Sequence, residues 1–167
     1  MKIPTENIKQ LRNITGAGIM ECRNALVETE GDKDKALGIL KERALLNVQK
    51  KSERATSEGV VTAYIHAGGR IGAMVELNCE TDFVARTDEF KNLAYQVAMQ
   101  IAAMSPQYVS DEDIPEGDDI EPDKACLLLQ PYIRSLDTTI QDLINETIAK
   151  VGENIRINRF ARFELGT

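Results

Sequence analysis

The residue types in this chain that could carry out chemistry are one histidine, three cysteines and many carboxylates. His66 lies at the mouth of a predicted turn, where metal binding or general base catalysis would need partners from distant parts of the chain, so we expect an exposed histidine at a strand end. Cys22, Cys79 and Cys126 are far apart, and each lies in an apolar stretch. This pattern predicts buried thiols in a reducing compartment rather than disulfides.

Motifs of covalent and phosphate chemistry do not occur in the sequence. It has no phosphate-binding glycine loop, no HExxH pair and no nucleophile elbow. The carboxylate pairs lie in one acidic stretch or at helix starts, where solvation accounts for them. We therefore expect no catalytic residue, no metal and no cofactor, and an enzyme acting through Cys79 is the least favoured class.

Residues 78–90, NCETDFVARTDEF, place an acid and a large aromatic ring in a turn between a strand pattern and a helix pattern. Polar residues surround Asp82 and Phe83, so the turn has little apolar material with which to cover the ring. This arrangement favours a ring presented to another protein. The alternative is that Phe83 folds back beneath the following helix as part of the core.

Length and composition indicate a globular protein that can bury a core. The chain has 167 residues, of which 43% are hydrophobic and 28% are charged. No apolar run approaches the ~20 residues of a membrane helix, and the N-terminus lacks the apolar segment of a signal peptide. We therefore expect a cytoplasmic protein that does not contact a membrane.

The net charge of −7 comes from one stretch. Residues 110–123 hold eight carboxylates and no basic residue, so the remainder of the chain carries +1. The acidic connector, residues 106–123, is predicted to be solvated; a metal or basic-partner site is the alternative, although the spacing lacks the glycine and terminal glutamate of a calcium loop. Since no basic stripe is interleaved with aromatic residues, we expect no direct binding of nucleic acid.

Residues 5–51 are predicted to form three short helices. Thr5 is expected to cap the first, the TGAG stretch at 15–18 reverses the chain, the second covers 19–29, and Asp32 caps the third. Apolar residues at helical spacing are expected to face inward: Ile8, Leu11, Ile14, Ile19, Cys22, Ala25, Leu26, Ala36, Leu37, Leu40 and Leu45. So small a core favours a docking unit over an enzyme.

Candidates for contact with a partner lie at or beside the glycine turn and the helix ends: Arg12, Met20, Arg23 and Lys51. Because Ile19 and Met20 are adjacent, both cannot enter the same small core, and one is expected to be exposed. The alternative is a set of ordinary solubilising charges with one exposed methionine.

After a polar linker, residues 52–58, the pattern changes to the two-residue period of strands. A hairpin is predicted over residues 60–79, in which Val61, Ala63 and Ile65 alternate with Val60, Thr62 and Tyr64, and Gly72 lies on the side away from the core. A third strand is predicted over residues 154–165. Its core face is expected to hold Ile155, Ile157, Ala161, Phe163 and Leu165.

Two longer helices are predicted between these strands. Thr87 is expected to cap the first, Thr138 with Gln141 forms a capping box for the second, and Gly152 ends it. The patterns together predict an α+β fold: a three-helix domain (1–51), the linker (52–58), and a core domain (59–167) in which helices cover one face of a three-stranded antiparallel sheet.

Five stretches carry a resemblance to a known family: LRNITGAGIMECRNAL (11–26), GDKDKAL (31–37), KK (50–51), VELNCETDFVAR (75–86) and VGENIRINRF (151–160). They occur in the order found in bacterial elongation factor Ts, and the chain resembles that family. The resemblance implies a UBA-like (ubiquitin-associated) N-terminal domain before an antiparallel core domain. It also implies a nucleotide exchange factor that binds elongation factor Tu and promotes GDP release.

The resemblance also implies roles for individual residues. One set matches the turn that enters elongation factor Tu near its Mg²⁺ site: Thr81, Asp82, Phe83 and Val84. A second set matches residues that dock the N-terminal domain beside the nucleotide domain: Arg12, Met20, Arg23 and Lys51. Val151 and Gly152 match a contact with another domain of the partner.

The chain also departs from longer members of that family. It lacks their second core repeat and helical protrusion, as do short forms, which often homodimerise, and the segment between residues 117 and 127 is shorter still. The strand at 154–165 is the expected dimer surface, because as a sheet edge it would expose unpaired amides and Phe160. The alternative to an exchange factor is a scaffold in which the turn at Asp82 and Phe83 is only structural.

Overall fold

The computed structural model describes residues 3–166, and the first part of the chain forms three helices around a small hydrophobic cluster. The helices are α1 (Thr5–Thr15), α2 (Ile19–Glu28) and α3 (Lys33–Lys51). Their shared core consists of small and medium-sized side chains: Leu11, Cys22, Ala25, Leu26, Ala36 and Leu40. None of these is aromatic, so the cluster buries little apolar area per residue.

Capping hydrogen bonds set the ends of these helices. Gly16 ends α1 with φ of 69°, and its N–H donates to the carbonyl of Arg12 at 2.7 Å. The carboxylate of Asp32 accepts from the N–H groups of Asp34 and Lys35 at 3.1 Å each, and these bonds lower its pKa. The Asp32 cap is therefore confirmed. The Thr5 cap is wrong, because Thr5 already lies inside α1 behind Pro4.

Three of the apolar positions predicted to face inward are exposed instead. Ile14, Ile19 and Leu45 each show about half or more of their surface. The small cluster is already filled by Leu11, Leu26 and their neighbours, so helical spacing alone overestimated how much of each helix is covered.

Residues 58–79 and 155–164 form the predicted three-stranded antiparallel sheet. Its strands are β1 (Glu58–Ile65), β2 (Ile71–Cys79) and β5 (Ile155–Glu164). Two short strands between them in the chain, β3 (Pro131–Tyr132) and β4 (Ser135–Thr139), form a separate small hairpin. β2 is central, with β1 and β5 on its two sides. Both outer strands therefore have an unpaired edge.

Four helices follow β2 in the chain. They are α4 (Asp82–Ala85), α5 (Asp88–Met104), α6 (Pro122–Ala125) and α7 (Ile140–Val151). No helix within residues 3–166 is both long enough and apolar enough to span a membrane. The acidic connector holds a single 3₁₀ turn at Asp111–Asp113, and its carboxylates there are exposed.

The main core lies between one face of the sheet and the helices. Phe90, Leu93 and Val97 of α5 are buried against Val75 and Leu77 of β2. Thr87 caps α5 as predicted, accepting from the N–H of Phe90 at 3.3 Å. The cap of α7 is Thr139 rather than Thr138: Thr139 accepts from the N–H of Asp142, whose carboxylate accepts in return from the N–H and hydroxyl of Thr139.

A β-bulge in β5 reverses the side-chain alternation of the last strand. Ile157 pairs with Leu77 and Arg159 pairs with Glu76, so Asn158 is an extra residue. Ile155 and Ile157 are buried as predicted. Beyond the bulge the inward positions are Phe160, which packs on the core, and Arg162, whose Nε donates to the carbonyl of Ala102 at 3.0 Å.

The predicted core positions Ala161, Phe163 and Leu165 therefore lie on the opposite side, and Phe163 is 72% exposed. With the outward residues of β1 and β2, Phe163 and Ala161 form an apolar surface that we call the open face: Val61, Ala63, Ile65, Gly72, Met74, Ala161 and Phe163. Gly72 lies on this side as predicted. A Cβ there would come within 2.7 Å of Ile65 Cδ1, so the Ile65 side chain covers the glycine closely.

A candidate partner-binding site around the end of helix α7

The DF turn, residues 81–85, is a cap followed by the short helix α4. The hydroxyl of Thr81 accepts from the N–H of Val84 at 3.4 Å. Val84 and Ala85 are buried and fix the turn to the main core. Phe83 points away from them and is 78% exposed. The ring is exposed as expected, and the alternative of a ring beneath the following helix is wrong.

Asp82 forms an ion pair with the residue one helical turn later. Its Oδ2 lies 2.8 Å from a guanidinium nitrogen of Arg86, whose side chain is largely exposed, while that of Asp82 is about half-exposed. Surface pairs of this kind contribute on the order of 0–1 kcal/mol to stability. The carboxylate thus lies at the surface beside the exposed Phe83.

Four residues were matched to the partner-contacting turn: Thr81, Asp82, Phe83 and Val84. Of these, Val84 lies in the core. Its side chain anchors the turn from below and does not contribute surface. Thr81 is half-buried, and its hydroxyl and N–H both donate to Glu153, which lies 72 residues later in the chain. The accessible surface of the DF turn is therefore Asp82 and Phe83, with Arg86 directly after it.

The N-terminal candidates are all placed at the surface or its margin. Arg12, Met20 and Arg23 are exposed, Met20 at 59%, and Lys51 is half-buried at the end of α3. Ile14 and Ile19 are also exposed on either side of the turn at residues 16–18. The sequence required one of Ile19 and Met20 to be exposed, and both are. Helical spacing assigned Ile14 and Ile19 to the core, which is wrong for both.

Val151 and Gly152 end α7. Gly152 terminates the helix with φ of 81°, as predicted, and is exposed, while Val151 is half-buried against the core. Glu153 and Asn154 follow immediately, so the position of Gly152 is coupled to that of the DF turn through the bonds between Glu153 and Thr81.

The structure brings three of the predicted contact regions to the C-terminal end of α7: the DF turn, the linker after Lys51 and the glycine turn at Gly16. The DF turn is held by Glu153, and the linker after Lys51 is held by Asn154. On the N-terminal side, a Cβ at Gly16 would lie 3.9 Å from Cγ of Lys150. Gly16, Lys51 and Lys150 line one cleft of about 600 Å³ between the N-terminal helices and α7.

Within residues 3–166 no group of three or more His, Cys, Asp or Glu side chains could hold a metal ion. His66 is exposed at the end of β1, with its Nδ1 3.1 Å from the hydroxyl of Tyr64. All three cysteines are free and buried, as expected. Burial, and then the nearby carboxylate of Glu153, raise the pKa of Cys79 to about 11, which keeps this thiol protonated at neutral pH and disfavours it as a nucleophile.

Comparison with known proteins shows close relatives over nearly the whole chain. An elongation factor Ts of Syntrophomonas wolfei subsp. wolfei is 47% identical, and the match covers 98% of this chain and 91% of that protein. An elongation factor Ts of Thermotoga neapolitana is 47% identical, with 99% and 98% covered. One of Carboxydothermus hydrogenoformans is also 47% identical, with 98% and 89% covered.

These relatives contain positions that this chain lacks. The alignment with the Syntrophomonas wolfei protein extends over 194 positions, whereas 98% of 167 residues is about 164, so about 30 aligned positions have no residue here. The resemblance to the family predicts that the shortening lies between residues 117 and 127.

The family model described as elongation factor TS matches residues 6–125, which include α1 to α5, β1, β2 and the DF turn. Together with identities of 47% over almost the full length, this match establishes the family. The chain belongs to the elongation factor Ts family of translation elongation factors.

Proposed function

We propose that the protein is a guanine nucleotide exchange factor that binds elongation factor Tu carrying GDP and promotes GDP release, so that GTP can bind. The observation that carries this proposal is Phe83, a 78% exposed ring on a turn anchored by two buried residues. As an exchange factor, the protein would need no covalent catalysis and no cofactor of its own. We expect it to act in the cytoplasm without direct contact with nucleic acid or a membrane.

In this mechanism Phe83 inserts between packed side chains of elongation factor Tu near the site of its Mg²⁺ ion. An inserted ring displaces the helices that support the coordination of the ion, and the carboxylate of Asp82 adds a competing charge. The factor and the nucleotide then weaken each other's binding by the same factor, and each ~1.4 kcal/mol of this coupling changes the affinity tenfold.

The other predicted contacts would hold the two proteins together while Phe83 acts. We infer that α1 to α3 form a UBA-like domain that docks beside the nucleotide domain through Arg12, Met20, Arg23 and Lys51. Ile14 and Ile19 are also exposed and would extend that surface. Gly152, exposed at the end of α7, and the half-buried Val151 would contact a second domain of elongation factor Tu.

We further propose that the protein is a homodimer and that the open face is its interface. Ile65, Gly72 and Phe163 lie in register across the three strands, as do Ala63, Met74 and Ala161. A two-fold axis would place each apolar row against the same row of the second copy, which is how symmetric dimers cover such a surface. The interface is the face of the sheet rather than the edge of β5.

The decisive experiment uses elongation factor Tu preloaded with fluorescent GDP in excess unlabelled GDP. We expect this protein to accelerate GDP release in a saturable manner at catalytic concentrations. Co-elution with elongation factor Tu without any acceleration would reject the exchange function and favour the scaffold alternative. Neither binding nor acceleration would reject both.

A further inference from the structure

Two polar residues directly after α7, Glu153 and Asn154, connect regions that are far apart in the chain. Gly152 already ends the helix, so neither side chain is needed to terminate it. Asn154 is nevertheless only 3% exposed, and Glu153 is half-buried. Burying polar side chains is unfavourable unless their hydrogen bonds are satisfied, so the partners of these two residues indicate what they are for.

Glu153 holds the start of the DF turn with both carboxylate oxygens. Oε1 accepts from the hydroxyl of Thr81 at 2.6 Å, and Oε2 accepts from its N–H at 3.0 Å. The same hydroxyl oxygen accepts from the N–H of Val84. Glu153 therefore fixes the rotamer of the residue that caps α4, and through that cap the direction in which Phe83 points.

Asn154 holds the linker between the N-terminal helices and the sheet. Its side-chain Nδ2 donates to the carbonyls of Ser52 at 3.2 Å and Arg54 at 2.8 Å, and its backbone N–H donates to Glu80 Oε1 at 2.7 Å. A guanidinium nitrogen of Arg54 lies 3.5 Å from the same Glu80 oxygen. Glu80, which precedes the DF turn, and the first residues of the linker thus meet at the buried Asn154.

We propose that Glu153 and Asn154 form a bracket that positions the two contact regions relative to each other. Glu153 positions Phe83, and Asn154 positions the linker that carries the N-terminal helices. Both are positioning residues, since they act through Thr81 and through residues 52–54 and need not touch elongation factor Tu. The kinetic consequence of the bracket rests on the proposed exchange function, whereas its structural consequence can be measured in the isolated protein.

The first experiment is amide hydrogen exchange of the isolated protein with the substitution Glu153→Gln. The amide form keeps one acceptor oxygen but loses the charge and the second acceptor, so we expect exchange at residues 81–85 to become about tenfold faster. Glu116→Gln makes the same change at an exposed position of the acidic connector and should leave this segment unchanged. Equal protection of residues 81–85 in Glu153→Gln and the unmodified protein would overturn the bracket.

The second experiment separates the role of Glu153 from that of Asn154 by GDP-release kinetics. A disordered DF turn lowers the rate of GDP release at a saturating concentration of this protein. Glu153→Gln is therefore expected to reduce that rate by about fivefold, with little change in the half-saturating concentration. Loss of the linker contacts in Asn154→Ser is expected to raise the half-saturating concentration instead, by about tenfold. Glu80→Gln weakens the hydrogen bond from the backbone N–H of Asn154 to Glu80. It replaces Asn154→Ser if that variant does not fold.

The two proposals fail in different ways. If the unmodified protein does not accelerate GDP release, the exchange function is rejected, while hydrogen exchange still decides whether Glu153 holds the DF turn. If the unmodified protein is active and both folded variants lose thermal stability but keep both kinetic parameters, then Glu153 and Asn154 are structural only and the positioning role is rejected.

Discussion

Phe83 and Phe90 lie in the same stretch of sequence, yet one is 78% exposed and the other is completely buried. Phe90 begins the apolar stripe of α5 and packs with Leu93 and Ala94 against the sheet. Phe83 lies on a helix of four residues whose buried positions are taken by Val84 and Ala85. The local fold, rather than the residue type, separates a ring that stabilises the protein from one that is free to bind.

Truncating the buried ring is the strongest test of this comparison. Phe90→Ala removes a fully buried side chain at the centre of the core, so we expect a loss of about 3–5 kcal/mol in the free energy of unfolding. Urea denaturation of Phe90→Ala and of the milder Phe90→Leu measures it. A loss below ~1 kcal/mol in Phe90→Ala would mean that the ring does not belong to the core as described.

The presented ring should behave in the opposite way. Phe83→Ala is expected to lower the rate of GDP release from elongation factor Tu by about 30-fold, since an anchoring ring contributes ~2 kcal/mol or more to a complex. Its unfolding free energy should change by less than ~0.5 kcal/mol. Stopped-flow GDP release set beside thermal melts compares the two, with Leu136→Ala, another exposed apolar truncation, as the control.

Asp82→Ala should also lower the rate of GDP release, but less than Phe83→Ala does, because it removes a charge and the ion pair with Arg86 rather than an inserted ring.

A collapsed melting temperature in Phe83→Ala, with normal nucleotide exchange by the remaining folded protein, would contradict the insertion mechanism. It would also place Phe83 with Phe90 as a structural residue.

The sequence predicted the helices and strands where local chemistry determines them. Asp32, Thr87 and Gly152 mark helix ends through bonds within a few residues, and each was identified correctly. The alternation in β5 was wrong beyond Asn158, because a bulge depends on the register of the neighbouring strand rather than on the residues themselves. Ile14 was misplaced because the size of the core that a helix meets is a tertiary property.

The same distinction applies to the candidate site. An exposed Phe83 could be predicted from the polar residues around it, and the resemblance supplied the remaining contact residues. The bonds from Glu153 to Thr81 and from Asn154 to the linker join residues 72 and about 100 positions apart. No spacing rule within a single sequence indicates such pairs, although the bracket stretch VGEN lies inside one of the matching motifs.

A third aromatic ring extends the comparison to the sheet. Phe163 is 72% exposed on the open face, and we expect Phe163→Ser to weaken self-association by about tenfold, because it removes an apolar contact from both copies. Sedimentation velocity over a range of micromolar concentrations measures the effect. Leu136→Ser, equally exposed but on the small β3–β4 hairpin, should leave association unchanged. A monomeric unmodified protein at high concentration would reject the homodimer.

Removal of residues 1–51 is the largest change to the chain, yet it should leave the core domain folded and only slightly less stable. The N-terminal helices have their own hydrophobic cluster, and among their apolar residues that the structure describes, only the half-buried Val48 packs against the main core. Its loss should cost the core about 1 kcal/mol. The linker contacts of Asn154 remain, since Ser52 and Arg54 are retained. Circular dichroism of residues 52–167 should keep the sheet signal with a cooperative melt, and its loss would show that the two clusters do not fold independently.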